Sequence, residues 1–95
     1  MPRMDKLSTY CTTIAQAGDL TVVTYHKTQI VAFDSRNIVL RTGGWDSVTT
    51  RRKMNQAARQ FGLNYGVYRD RGQSYVSLPS GHTVPLTEEV TFARG

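Results

Sequence analysis

Three short runs rich in β-branched residues, Leu20–Tyr25, Gln29–Phe33 and Ile38–Thr42, crowd into the stretch LTVVTYHKTQIVAFDSRNIVLRTGG. Only His26-Lys27-Thr28 and Asp34-Ser35-Arg36-Asn37 separate them. A parallel crossover needs a dozen or more residues, so connections this short join antiparallel neighbours. Both separators are polar, and the second carries the Asp/Ser/Asn chemistry of a turn. The region reads as a three-stranded meander. Its runs mix apolar and polar residues, as a sheet with one buried and one partly wet face requires.

The next segment, GGWDSVTTRRKMNQAARQFG, changes period from two to 3.6. Met54, Ala57, Ala58 and Phe61 recur at helical spacing, with Thr50 one turn earlier on the same side. Asp46 or Ser47 can accept from the unpaired N–H groups of a first turn. Gly62 suits the left-handed position after the last turn, and Leu63 can add the apolar contact of a Schellman closure. A helix is expected over about Ser47–Phe61. Beyond it, Tyr65–Arg69 and Ser74–Leu78 alternate like strands around the turn Asp70-Arg71-Gly72. Thr83–Leu86 suits an edge strand, where Pro85 is tolerated, and Glu89–Ala93 reads as a last strand or a tail. At the other end, Met4, Leu7, Cys11, Ile14 and Ala15 fit a short helix stopped by Gly18.

These elements make one α+β domain over residues 1–95: an antiparallel meander, one main amphipathic helix packed on it, a C-terminal hairpin and a short N-terminal helix. The expected core draws on Met54, Ala57, Phe61, Val22, Ile30, Val31, Ile38 and Leu40. A single cysteine, Cys11, excludes an internal disulfide and a cysteine-rich metal site. No apolar run approaches the ~20 residues that span a bilayer, and the start lacks the apolar core of a secretory signal. The expected setting is a reducing cytoplasm, with no membrane partner.

The net charge of +5 favours anionic partners without choosing among them. Placement says more. Arg51, Arg52, Lys53, Arg59 and Arg69 fall between Ser47 and Arg69, where no acid occurs. On the helical wheel, Arg52, Gln56 and Arg59 form a stripe opposite the core side, flanked by Thr49, Lys53, Asn55 and Gln60. Arginine forks, a lysine and carboxamides grip phosphates and can read base edges. The same face also reads as a solvated outer surface, because long basic side chains favour helix. With no second helix a short turn away, a helix-turn-helix is not indicated.

Tyr65, Tyr68 and Tyr75 lie on the late hairpin beside Arg69 and Arg71. Aromatics interleaved with arginines on a sheet hold single-stranded nucleic acid, and equally such rings pack on a helix. Trp45, directly before the cap, reads as a hydrophobic staple or as a stacking or interface anchor. Gly43-Gly44 matches neither the P-loop nor the dinucleotide fingerprint. His26, His82 and Cys11 show no metal-ligand or nucleophile spacing, so no catalytic residue, metal or cofactor is assigned and an enzyme is not expected.

Tyr25-His26, Thr28, Ile30-Val31, Gly43-Gly44-Trp45, Thr49-Thr50 and Met54-Asn55-Gln56 together resemble the pattern of a group of short bacteriophage proteins of uncharacterised function. The likeness covers about half the chain. It implies a small accessory protein made in an infected bacterium and names no activity. Two functions are therefore expected. The first is a basic nucleic-acid-binding module for DNA or RNA with little sequence specificity, using Arg51, Arg52, Lys53, Gln56, Arg59, Arg69, Arg71, Trp45 and Tyr68. The second is an inhibitor of a host protein or defence complex, anti-CRISPR-like or otherwise, docking on an acidic host surface. A second copy of the chain is a further candidate partner.

Overall fold

The computed structural model describes residues 12–43 and 47–94. In chain order the elements are β1 (Thr12–Ala17), β2 (Leu20–Tyr25), β3 (Thr28–Phe33), β4 (Asn37–Arg41), α1 (Val48–Phe61), β5 (Gly66–Asp70), β6 (Gln73–Ser77), β7 (Thr83–Pro85) and β8 (Glu89–Ala93). They form a five-stranded sheet in the order β1-β2-β3-β4-β8 and a three-stranded sheet in the order β5-β6-β7. Every strand pairing is antiparallel.

The meander stands where its short connections put it. The β2–β3 loop is the two residues His26 and Lys27, with His26 at φ 56. The β3–β4 turn is organised by Asp34, whose Oδ1 accepts from the Arg36 and Asn37 amides at 2.8 Å each. One irregularity shifts the burial pattern. Val23 pairs with Val31 but Thr24 pairs with Gln29, so Ile30 is the extra residue of a β-bulge. The bulge turns both Ile30 and Val31 inward, and both are almost fully buried. On β2 the inward residues are Thr21 and Val23, so Val23 is the core residue and the expected Val22 is only partly covered.

The N-terminal expectation is corrected. Thr12–Ala17 is not helical but a strand, joined to β2 through Gly18-Asp19. Thr12, Thr13 and Ile14 are β-branched and lose rotamer freedom in a helix, and Gly18 at φ 61 serves a two-residue hairpin loop rather than a helix stop. The rest of the expected helix, with Met4, Leu7 and Cys11, lies outside the described residues.

The segment after Gly66 forms the second sheet, and Glu89–Ala93 returns to the first. Ile38 opposes Phe92 and Leu40 opposes Val90 across β4 and β8. Helix α1 lies against both sheets, touching β3 and β5. Ser47 caps it, its Oγ accepting from the Thr50 amide at 3.1 Å. At the other end Gly62 is left-handed at φ 65, and the Leu63 amide donates to the Ala58 carbonyl at 2.9 Å. Leu63 is fully buried, as the apolar closure of that motif requires. One core results: Met54, Ala57 and Ala58 meet Val23, Ile38 and Leu40 from the first sheet and Val67 and Val76 from the second. Phe61 is half-buried at its margin, its ring 5.0 Å from Phe33.

Candidate functional site

A helix wedged between two sheets has a wide buried face, and this decides which of its cations reach solvent. Arg51 and Lys53 flank the apolar stripe on opposite sides. Arg51 is 9% exposed and reaches towards β6, with Nη1 3.4 Å from the Ser74 Oγ. Lys53 is 3% exposed, and its ammonium sits 5.1 Å from the centre of the Tyr25 ring. Lys53, expected beside the outer stripe, is instead laid along the meander, where its stem can cover apolar surface and its charge faces an aromatic ring. Arg52 and Arg59 are exposed, and Gln56 is half-buried between them.

Asn55 has a structural duty that the wheel does not show. Its Nδ2 donates to the Val67 carbonyl, and its Oδ1 accepts from the Val67 amide, both at 2.8 Å. Strand β5 is an edge strand, and Val67 points its backbone away from β6. The carboxamide therefore takes the place of a neighbouring strand and closes that edge. Between helix and strand runs a groove of about 320 Å³, lined by Val48, Arg51, Arg52, Asn55, Gln56, Arg59 and Val67. Three arginines and two carboxamides along one strand edge, with no carboxylate among the described residues of the lining, make it electropositive.

The hairpin extends this surface. Arg69 is exposed, stands opposite Ser74 in the register, and so continues the line of Arg51 towards the hairpin tip. Arg71 occupies the tip at φ 52, followed by Gly72 at φ 81. Two consecutive positive φ values are what a two-residue type I′ turn demands. On the opposite face of the small sheet Tyr68 pairs with Tyr75, and Tyr75 with Pro85, in one row across three strands. The two tyrosine rings stack at 5.7 Å with an interplanar angle of 27°, and Tyr68 is 45% exposed.

Tyr65 does not belong with them. It is buried, donates its hydroxyl to the Met54 carbonyl at 2.6 Å and meets Phe92 edge-on at 5.8 Å. Burial holds its phenol well above the usual tyrosine pKa, so it is a neutral tie between α1 and β8. Trp45 and Gly44 lie outside the described residues. Gly43 is left-handed at φ 62, and a Cβ there would come within 2.8 Å of the Thr28 Oγ1, so the first glycine of the pair has a steric reason.

A larger cleft of about 790 Å³ opens at the start of α1, lined by Tyr25, His26, Lys27, Thr28, Ile30, Thr42, Ser47 and Thr50. Its described lining holds one lysine and no arginine, so the positive charge gathers in the arginine groove instead. His26 packs its ring 4.4 Å from Tyr25, while His82 contacts the Ser80 hydroxyl at 3.2 Å near β7. Among the described residues no group of three His, Cys, Asp or Glu is placed to hold a metal, and no helix is long and apolar enough to cross a membrane.

Of the residues that the sequence singles out, the structure brings Arg51, Arg52, Gln56 and Arg59 to one groove, with Arg69, Arg71 and Tyr68 on the adjoining hairpin and Lys53 on the far flank. Sequence reasoning missed Asn55 as a clasp and Tyr65 as a tie. Neither a curated protein nor a solved structure matches the chain. The family model described as Kyanoviridae Gp96 protein matches residues 2–95, in keeping with the phage resemblance, and the chain therefore belongs to this family of phage proteins.

Proposed function

We propose that this protein is a non-catalytic phage accessory protein that binds nucleic acid through its phosphate backbone, with little sequence specificity. The observation that carries this reading is the groove between α1 and β5, lined among the described residues by three arginines and no carboxylate, with Arg52 and Arg59 exposed on its helical side. Arginine forks pair with phosphate oxygens in a fixed geometry, and carboxamides such as Gln56 add donors beside them. The nearest exposed cations along the hairpin, Arg69 and Arg71, lengthen the positive track. Arg51 and Lys53 contribute to the field, but their buried positions make them poor direct contacts.

A limited set of exposed arginines bounds the salt dependence. If Arg52, Arg59, Arg69 and Arg71 each neutralise one phosphate, log affinity falls against log salt with a slope of about −2.8 for single strands and about −3.6 for duplex. Fluorescence anisotropy with single- and double-stranded oligonucleotides across a salt series measures it. Replacing Arg52 and Arg59 together by glutamate should weaken binding to every sequence and flatten the slope by about 1.5. Absence of binding below about 100 μM at low salt, for both strand forms, would refute the reading. In that case the same arginines and Tyr68, residue types that anchor protein interfaces, become the face that docks an acidic host protein.

A further inference from the structure

Resting on that reading, we infer that the ligand is single-stranded nucleic acid, with a base stacked on Tyr68 while its phosphates run along the arginine groove. Tyr68 and Tyr75 face each other directly across β5 and β6, and their rings stack. Tyr75 therefore covers the Tyr68 ring from the side of β6. Tyr68 remains exposed, and it stands on the edge strand whose Val67 lines the groove of Arg52, Gln56 and Arg59. Side-chain parity along β5 supports this placement. Val67 turns its side chain to the core while its backbone meets Asn55, and Tyr68, one residue on, emerges on the outer face. The ring thus stands one residue along β5 from Val67, the residue of that strand that lines the arginine groove.

This combination discriminates between strand forms. A base inside a duplex is already stacked on both faces and cannot lie on a protein ring, whereas an unpaired base can, whatever its identity. Towards the start of β5 the face that carries Tyr68 holds Gly66, Ser77 and Thr83 rather than bulky residues. At the hairpin end Asp70 shares the face of Tyr68, which favours phosphates on the groove side over a path across the sheet. A second stacked tyrosine beneath the first stiffens the platform, so little ring freedom remains to be lost on binding.

The test uses the full chain with a labelled oligothymidylate and a labelled duplex, compared by anisotropy at the same salt. The single strand should bind at least about tenfold more tightly than the duplex. Tyr68→Ala should lower single-strand affinity by about 5- to 150-fold, the range for losing one stacked base, and leave duplex affinity and the salt slope unchanged. Tyr68→Phe should restore the loss, while Tyr68→Leu, which keeps bulk but not the π-face, should not. Thermal unfolding of each variant confirms that an exposed side chain was changed without loss of the fold. Equal affinity for both strand forms, or unchanged single-strand binding by a folded Tyr68→Ala, overturns this inference and leaves the groove reading intact if the arginine dependence remains. Failure of both strand forms to bind overturns the two together.

Discussion

Asn55→Ala is the most informative single change to the fold, because two good hydrogen bonds and one strand edge depend on one side chain. The carboxamide holds both backbone groups of Val67 at 2.8 Å. A hydrogen bond of this kind contributes about 0.5–1.5 kcal/mol net, and a buried group left without its partner costs about 1–3 kcal/mol. Val67 itself is 5% exposed, but it borders the open groove, so water can reach part of what the truncation uncovers. An intermediate total of about 2 kcal/mol follows for the two bonds together. For a domain of this size that lowers the thermal midpoint by about 8–16 °C.

Circular dichroism melts and urea titrations give the loss, and hydrogen exchange locates it at the Val67 amide. Arg52→Ala is the control, since an exposed substitution on the same helix should stay within about 0.5 kcal/mol. Asn55→Asp separates the two bonds. The carboxylate can still accept from the Val67 amide but sets an oxygen against the Val67 carbonyl, so one bond is lost and a repulsion gained. Its stability should recover in part when acid protonates the new carboxyl and restores a donor. A midpoint for Asn55→Ala within about 2 °C of the parent, against the expected fall, or unchanged protection of the Val67 amide, would refute the clasp.

Two further changes probe ties that the structure shows elsewhere. Tyr65→Phe removes the hydroxyl that donates to the Met54 carbonyl and should cost about 1 kcal/mol in a melt while keeping the fold. The raised pKa of Tyr65 means that only the unfolded chain releases this proton near the ordinary tyrosine value of 10.0. Its contribution is therefore present below that pH and lost as pH rises above it, and Tyr65→Phe should flatten the alkaline limb of stability against pH. Asp34 behaves in the opposite sense. The Arg36 amide and then the Asn37 amide hold its carboxyl below the usual 3.8, so its contribution is present above that value and lost as pH falls through the lowered pKa. Asp34→Asn keeps an acceptor for both amides, and should retain the turn while removing that part of the acid limb.

The meander, the main helix and the late hairpin were legible because each is specified locally. Two- to four-residue connections, a Ser47 cap and a Gly62 stop act over distances that a sequence shows directly. What escaped is what tertiary contact decides. Ile14 and Ala15 fit a helical period, yet β-branched Thr12, Thr13 and Ile14 pair with β2. The bulge at Ile30 breaks the alternation of β3, so that Ile30 and Val31 are both buried, which periodicity cannot foresee. Strand β8 meets β4 across about half the chain, so Glu89–Ala93 carried no local sign of its partner. Within the candidate site, Arg52, Gln56 and Arg59 were placed by the wheel. Lys53 was set beside that stripe because a wheel assumes one packing surface, and α1 has two.

The edge of β5 links the two halves of the candidate site. Side chains on a strand alternate strictly, so a slip of one residue in the docking of β5 would turn Tyr68 into the core and Val67 out to solvent. Asn55 opposes that slip, because its donor and acceptor match the C=O and N–H of Val67 and would meet a different backbone orientation one residue away. The type I′ turn at Arg71-Gly72 fixes the same register from the other end. A side chain whose amide atoms are both engaged by Val67 thus positions the ring and the strand beside the arginines. Loss of Asn55 should therefore weaken binding only in proportion to loss of the folded population. Binding that falls while the fold persists would instead make Asn55 a direct contact.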